Sequence, residues 1–269
     1  MNKLFELNGE IAVIIGGGGV LGGALAEGLA IAGARVAILD RQRESGEARA
    51  RQIIDAGGDA HFFIANAIDR QSLAQAHHEV ETALGASTIL LNAAGGNDPK
   101  VTVTTDHAFE QITLEDWRAN FELNLAGGAL LPCQEFGAAM AKRGKGSIIN
   151  IASVSAHIPL SRVVTYSAAK AAVKNLTQFL AREWAPRGVR VNSITPGFFP
   201  AEQNRRLLFN EDGTPTERTK SILTHTPMAR FGEARELVGA AIFLASSAAS
   251  GFVTGTDLRV DGGFLSQTI

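Results

Sequence analysis

Cysteine is almost absent from this chain: Cys133 is the only one in 269 residues. An intrachain disulfide is therefore excluded, and a lone thiol in an apolar helical stretch reads as a packed core group rather than a nucleophile. Histidine is sparse too, six in all. The adjacent His77 and His78 diverge by roughly 100° on a predicted helix, so they do not share a face as metal ligands four apart would. No metal site is expected. His157 and His225 stand near the mouth of the expected site, where a hydrogen-bonded loop role is the stronger reading. Nowhere does the sequence reach the ~18 consecutive apolar residues of a membrane helix. The opening MNKLFELNGE has no apolar h-region, so a cytoplasmic protein without a membrane partner is expected. Charge of one sign is also missing: 25 Lys+Arg against 27 Asp+Glu leave a formal charge of −2, no field for nucleic acid or an anionic membrane.

What the chain does have is apolar residues, 45% of the total, enough for a large core without staples. Short β-branched runs recur at Ile11–Ile15, Arg35–Leu39, His61–Ile64, Thr88–Leu91, Ser147–Ile151, Val189–Ile194 and Asp257–Val260. Segments of helical period lie between them; Leu21, Leu25, Leu29 and Ala32 mark one helix face, and Ala169, Val173, Leu176 and Leu180 another. Strand–helix alternation predicts an α/β fold, a doubly wound, mainly parallel seven-stranded sheet with helices on both faces, in one domain over residues 1–269. The least regular stretch, 196–227, holds Pro196-Gly197, Phe198-Phe199 and Asn210-Glu-Asp-Gly213, and reads as a substrate lid with its own short helices.

Gly16-Gly-Gly-Gly19-Val20-Leu21-Gly22 falls between the first strand and the first helix. There glycines permit a tight turn and close backbone approach to a pyrophosphate, which the helix N-terminus attracts. Asp40 ends the next strand, where a carboxylate accepts hydrogen bonds from an adenosine ribose and repels a 2′-phosphate. Arg41 and Arg43 follow and can instead hold that phosphate, so NAD is preferred and NADP stays open. Tyr166 is the only tyrosine, and Lys170 lies one helical turn later. A phenol exchanges protons poorly at neutral pH unless a cation stabilises its phenolate, and Lys170 supplies that charge. Ser153 leaves the end of the strand before them, where its hydroxyl can meet a bound substrate.

These motifs resemble the short-chain dehydrogenase/reductase superfamily over nearly the whole chain. The matching positions are Gly16 to Gly22, Asn92-Ala93-Ala94-Gly95, Asn124, Ser153, Tyr166-Ser-Ala-Ala-Lys170, Pro196-Gly197 and Val260-Asp-Gly-Gly263. The resemblance implies a Rossmann-type sheet, a nicotinamide cofactor, a homotetramer and a catalytic tetrad of Asn124, Ser153, Tyr166 and Lys170. Tyr166 would be the general acid in carbonyl reduction, Ser153 would hydrogen-bond the carbonyl oxygen, and Lys170 would bind the nicotinamide ribose. Asn124 would hold a relay water. Gly16, Gly18, Gly19, Val20, Leu21, Gly22, Asp40, Arg41, Asn66, Ala67, Asn92, Ala93, Ala94, Gly95, Tyr166, Lys170, Pro196, Gly197 and Phe199 would contact the dinucleotide. The chain departs from the family pattern at Ile15, where a threonine hydroxyl usually helps hold the Asn92 loop. It departs again at Val20, Asn66-Ala67 and Asn92-Ala93, which bear on cofactor affinity more than on chemistry.

A narrower resemblance is to the mannonate oxidoreductase (fructuronate reductase) group. It rests on Gly16 to Gly22, Ala94-Gly-Gly-Asn97, Pro196-Gly-Phe-Phe199, Glu202-Gln-Asn-Arg205, Leu208-Phe-Asn-Glu-Asp-Gly213 and His225-Thr-Pro-Met228. The implied reaction is D-fructuronate + NAD(P)H ⇌ D-mannonate + NAD(P)+. A sugar-acid substrate would meet Asn97, Ser153, Arg162, Gln203, Asn204 and Arg205, with Arg205 the first choice for its carboxylate. Alternatives are another polyol or keto-sugar dehydrogenase, a 3-oxoacyl reductase and, more remotely, a non-catalytic dinucleotide sensor.

Overall fold

The structure, a computed structural model, describes residues 3–201 and 205–267. Seven strands form one sheet, all pairs parallel, in the order β3-β2-β1-β4-β5-β6-β7. In chain order the first half runs β1 (Ile11–Ile15), α1 (Val20–Ile31), β2 (Arg35–Asp40), α2 (Arg43–Asp55), β3 (Asp59–Ile64), α3 (Arg70–Ala83) and β4 (Ile89–Asn92). The second half opens with α4 (Leu114–Phe121), two wide π-helical segments (Glu122–Leu130 and Cys133–Gly137) and α5 (Ala138–Arg143). It continues through β5 (Gly146–Ile151), α6 (Val164–Trp184), β6 (Val189–Pro196), α7 (Arg205–Leu208), α8 (Glu217–Thr224), α9 (Val238–Ala245), α10 (Ser247–Ser250) and β7 (Asp257–Val260).

β1, β4 and β6 are buried along their whole length, and β2 and β5 along nearly all of it, because each side of the sheet is covered there, whereas β3 at the sheet edge is partly exposed. Successive β1 residues feed opposite cores: Ala12 and Ile14 join α1, α2 and α9, through Leu25, Leu29, Ile53 and Leu244. Ile11, Val13 and Ile15 join α3, the π-helical stretch, α5 and α6, through Leu73, Phe136, Met140 and Leu180. Each fully buried leucine or isoleucine contributes about 2 kcal/mol, so strand period and helix period reinforce one another. Cys133 is buried, and burial pushes its thiol up to about 12, the inert core group expected. β7, at the sheet edge, is only half-buried.

Strand order reverses between β1 and β4, which places a crevice beyond their C-terminal ends. Stretch 196–227 carries short helices of its own, α7 and α8, joined by a turn in which Phe209 pairs with Pro215. Among the described residues no helix is long and apolar enough to cross a membrane, and no group of His, Cys, Asp or Glu could hold a metal ion.

Candidate active site

The glycine loop after β1 is a cradle that side chains would fill. Gly16 has φ +77°, and a Cβ there would lie 2.8 Å from the Ala94 backbone. A Cβ on Gly22 would strike the Gly16 carbonyl. Gly18 N–H donates to Asp40 Oδ2 at 3.1 Å, and Gln42 N–H to Oδ1 at 3.0 Å. Both Asp40 oxygens are thereby aimed at the loop and retain lone pairs for a ribose. Gly19 caps α1 without a side-chain bond, leaving the N–H groups of Val20, Leu21 and Gly22 for an anion. These residues fit a dinucleotide pyrophosphate and its adenosine ribose.

The neighbouring cofactor candidates divide into those with free groups and those already engaged. Arg43 is tied to Glu47 at 3.0 Å and lies over Phe62, whereas Arg41 stays exposed. Asn66 Oδ1 accepts from Ile68 N–H in a local turn, and Ala67 packs into the second core. The loop that Ile15 leaves without a hydroxyl is held by backbone instead, Ala93 N–H donating to Ile15 O at 2.9 Å. Two of these candidates have side chains already engaged by the fold. Asn92 is fully buried, its amide donating to Asn150 Oδ1 at 2.8 Å, so only its backbone is left for a cofactor. Phe199 is 8% exposed and packed into the first core, with its ring against Gly232. Gly197 N–H donates to Val260 O at 3.0 Å, which fixes the Pro196-Gly197 turn to β7.

The chemistry collects at the end of β5. Ser153 caps a short turn, its Oγ accepting from Ser155 N–H at 3.2 Å, and its side chain is near enough to Tyr166 to favour the phenolate. Lys170 is 3% exposed, its Nζ donates to Ile151 O at 2.8 Å and lies 5.7 Å from the centre of the Tyr166 ring. Helical spacing on α6 stacks the two, and the Ile151 carbonyl fixes the ammonium beneath the serine. Burial pushes Lys170 down to about 8. Burial also raises the Tyr166 pKa, against a smaller lowering from Ser153, so the expected lowering by Lys170 is not the dominant effect. The consequence is a phenol that stays protonated beside an ammonium able to release a proton near neutrality.

Asn124 is fully buried where the helix widens into its π-helical turn. Its Oδ1 accepts from Gly96 N–H at 2.9 Å, while Nδ2 donates to Gly96 O at 2.8 Å and Asn120 O at 2.9 Å. Both side-chain donors are used. The side chain fastens the loop after β4. A Cβ on Gly95 would lie 2.6 Å from Asn124 Oδ1 and 3.6 Å from Lys170 Nζ, so the loop closes over the lysine. Asn120, which the sequence reading missed, donates to Gly96 O at 3.1 Å; its four-residue spacing from Asn124 was the available signal.

Further outcomes concern the substrate side. Asn97 is exposed and its amide donates to Thr102 Oγ1 at 2.6 Å. Arg162, exposed, has a left-handed backbone with φ 74° just before α6. Gln203 and Asn204 lie outside the described residues, as does the side chain of Arg205, which opens α7. His157 is a hydrogen-bonded loop histidine, as expected: its Nε2 meets Asp257 Oδ2 at 2.9 Å and its Nδ1 meets Lys174 Nζ at 3.1 Å. An ammonium only donates, so Nδ1 accepts from Lys174 and Nε2–H donates to Asp257. His225, exposed, bonds Ser221 O at 2.8 Å. A cavity of about 390 Å³ at the base of the lid, lined by Phe198, Phe199, Met228 and Arg259, contains none of the tetrad.

A short-chain glycine cradle at the sheet's switch point and a Ser–Tyr–Lys cluster at the end of β5 define a nucleotide-dependent oxidoreductase. Residues 19–265 match the family model described as enoyl-(acyl carrier protein) reductase. A solved structure from Haemophilus influenza, provisionally named a D-mannonate oxidoreductase and containing NAD, is 40% identical with a TM-score of 0.92, over 98% of this chain and 97% of that one. A gluconate 5-dehydrogenase from Burkholderia cenocepacia, solved with NADP and tartrate, is 37% identical with a TM-score of 0.87, over 98% of each chain. The D-threitol dehydrogenase of Mycolicibacterium smegmatis is 35% identical over 97% of this chain and 94% of its own. The chain belongs to the short-chain dehydrogenase/reductase superfamily and is an NAD(P)-dependent oxidoreductase acting on CH–OH groups.

Proposed function

We propose that the protein interconverts D-fructuronate and D-mannonate with a nicotinamide dinucleotide, NAD in preference to NADP. The observation that carries the chemistry is a buried lysine anchored on Ile151 O, 5.7 Å from the centre of the Tyr166 ring, with Ser153 beside that tyrosine. The substrate reading is supported by likeness to the Haemophilus protein over 98% of this chain. The NAD preference is supported by an Asp40 carboxylate that two backbone N–H groups hold at the loop.

The glycine loop, Asp40 and Lys170 would hold a nicotinamide dinucleotide, which would supply or take up a hydride at the substrate carbon when bound. The protein's residues handle the oxygen and its proton. Ser153 Oγ–H donates to the substrate carbonyl and stabilises negative charge as it develops. Tyr166, kept protonated by burial, transfers its phenolic proton to the same oxygen. The Lys170 ammonium then stabilises the phenolate, and its depressed pKa favours returning a proton to it. In the oxidative direction Tyr166 accepts the alcohol proton. Asn124 keeps the Gly96 loop closed against this cluster.

The experiment is the steady-state rate of NADH and NADPH oxidation by the purified protein with D-fructuronate, beside D-fructose and a 3-oxoacyl thioester. Saturable turnover with D-fructuronate and at least tenfold higher kcat/KM for NADH is expected. Efficient use of only the neutral ketose or the thioester would overturn the substrate assignment, and a preference for NADPH would overturn the cofactor assignment.

A further inference from the structure

Two arginines meet where α8 lies against the loop that leads into α6. Arg218 Nη1 donates to Ser161 Oγ at 3.3 Å, which brings its guanidinium next to Arg162. The Arg162 backbone is left-handed, φ 74°, a conformation unfavourable for a residue that bears a side chain. Its carbonyl is pinned by Val103 N–H at 2.9 Å, so the loop after β4 holds the turn in place. The strained residue stands four before Tyr166.

Neither guanidinium has a carboxylate within ion-pair distance among the described residues. The nearby acids are engaged elsewhere: Glu217 pairs with Lys220 at 2.6 Å, Asp116 with Lys100 at 3.6 Å, and Asp212 accepts from Thr214. Half-buried Arg218 is disfavoured as a cation first by desolvation and then by the charge of Arg162. Like charges brought together without a counterion are unfavourable, and a bound anion reverses that sign. A carboxylate suits the pair best, because each planar fork offers two parallel N–H donors to two oxygens.

We infer that Arg218 and Arg162 form the carboxylate clamp of the substrate site, selecting open-chain sugar acids and setting their carbonyl toward Tyr166. This rests on the sugar-acid reading of the site and moves the anchor from Arg205 to a pair on the lid helix and the Tyr166 loop.

The test uses the full-length protein with NADH and whichever ketose or keto acid it reduces. The inhibition constants of D-gluconate and of D-sorbitol, an acid and a neutral polyol of equal carbon number, are measured for the wild type, Arg218→Gln, Arg218→Lys and Arg162→Gln. NADH fluorescence titration reports folding of each variant. The clamp predicts that the D-gluconate constant rises at least tenfold in Arg218→Gln and Arg162→Gln and less in Arg218→Lys, with the D-sorbitol constant within twofold. Equal shifts for both inhibitors, an unchanged D-gluconate constant, or wild type that fails to bind D-gluconate would overturn it. Reduction of neutral ketoses alone, with the D-gluconate effect intact, would sink the fructuronate assignment and leave the clamp standing. Fructuronate turnover with an unchanged KM in Arg218→Gln would do the reverse.

Discussion

The wall that carries Ser153, Tyr166 and Lys170 and the stretch from Pro196 to Met228 are held by different kinds of bond. In the first, polar side chains are fixed by partners in other strands and helices: Lys170 on Ile151 O, Asn124 on Gly96, His157 between Lys174 and Asp257. In the second, most bonds are local. Thr216 caps its own helix, Asp212 and Asn210 bond Thr214, and Lys220 bonds Glu217. Arg218 to Ser161 is the lid's link to the loop before Tyr166. Local bonds hold a shape but do not bind one element to the rest of the fold. The proposed chemistry therefore sits on the part tied across the fold, and the proposed recognition on a part held largely by its own bonds.

The largest blow to the fixed wall is Tyr166→Phe, which removes the proton donor and keeps the ring. The expected loss in kcat is about a thousandfold, with NADH affinity within twofold by fluorescence titration. A variant with near-normal kcat would shift the proton transfer elsewhere and end the distinction between the two regions.

A pH profile sharpens the comparison on the same wall. Lys170 carries its charge below about pH 8 and loses it as pH rises through that value. Carbonyl reduction should then lose rate along an alkaline limb near pH 8. Lys170→Arg keeps a cation at all working pH values, so its limb should move up by at least one unit even where its maximal rate is lower. A limb that stays in place belongs to a different group.

The smallest effect falls on the lid. Thr216→Ala removes the hydroxyl that accepts from Thr219 N–H at 3.2 Å and donates to Leu207 O at 2.9 Å, a cap worth about 1 kcal/mol to α8. The KM for the carbonyl substrate should rise severalfold while kcat and the melting temperature barely change. A fall in melting temperature with KM unmoved would make the lid part of the rigid body.

How legible each part was follows the same division. β1 to β7 and the glycine loop were readable because strand runs and turn residues are local signals. Tyr166 and Lys170 were readable because one helix spaces them. The contacts that surprised are remote in sequence: Arg218 reaches Ser161 across 57 positions and His157 reaches Asp257 across 100. The side-chain partner of Asn92 was hidden for the same reason, since Asn150 belongs to another strand. The bonds from Asn124 to the Gly96 loop were not readable, because the widened helix around it follows from packing. Gly127-Gly128 and Pro132 in an apolar run were the only local hint of it.

That widened helix bears on how this chain tolerates changes in length. A π-helical turn spends one more residue than the α-helical turn it replaces. Removing a single residue between Glu122 and Leu130 would let the helix heal into regular α spacing, so the sheet would keep its cover and the protein its fold. Asn124 and Asn120 would then sit about 100° out of phase with one another across the deletion or with the Gly96 loop they grip. A shortened chain of this kind would be a well-folded protein with an open loop over its lysine, which makes helix length, as much as residue identity, a heritable determinant of activity here.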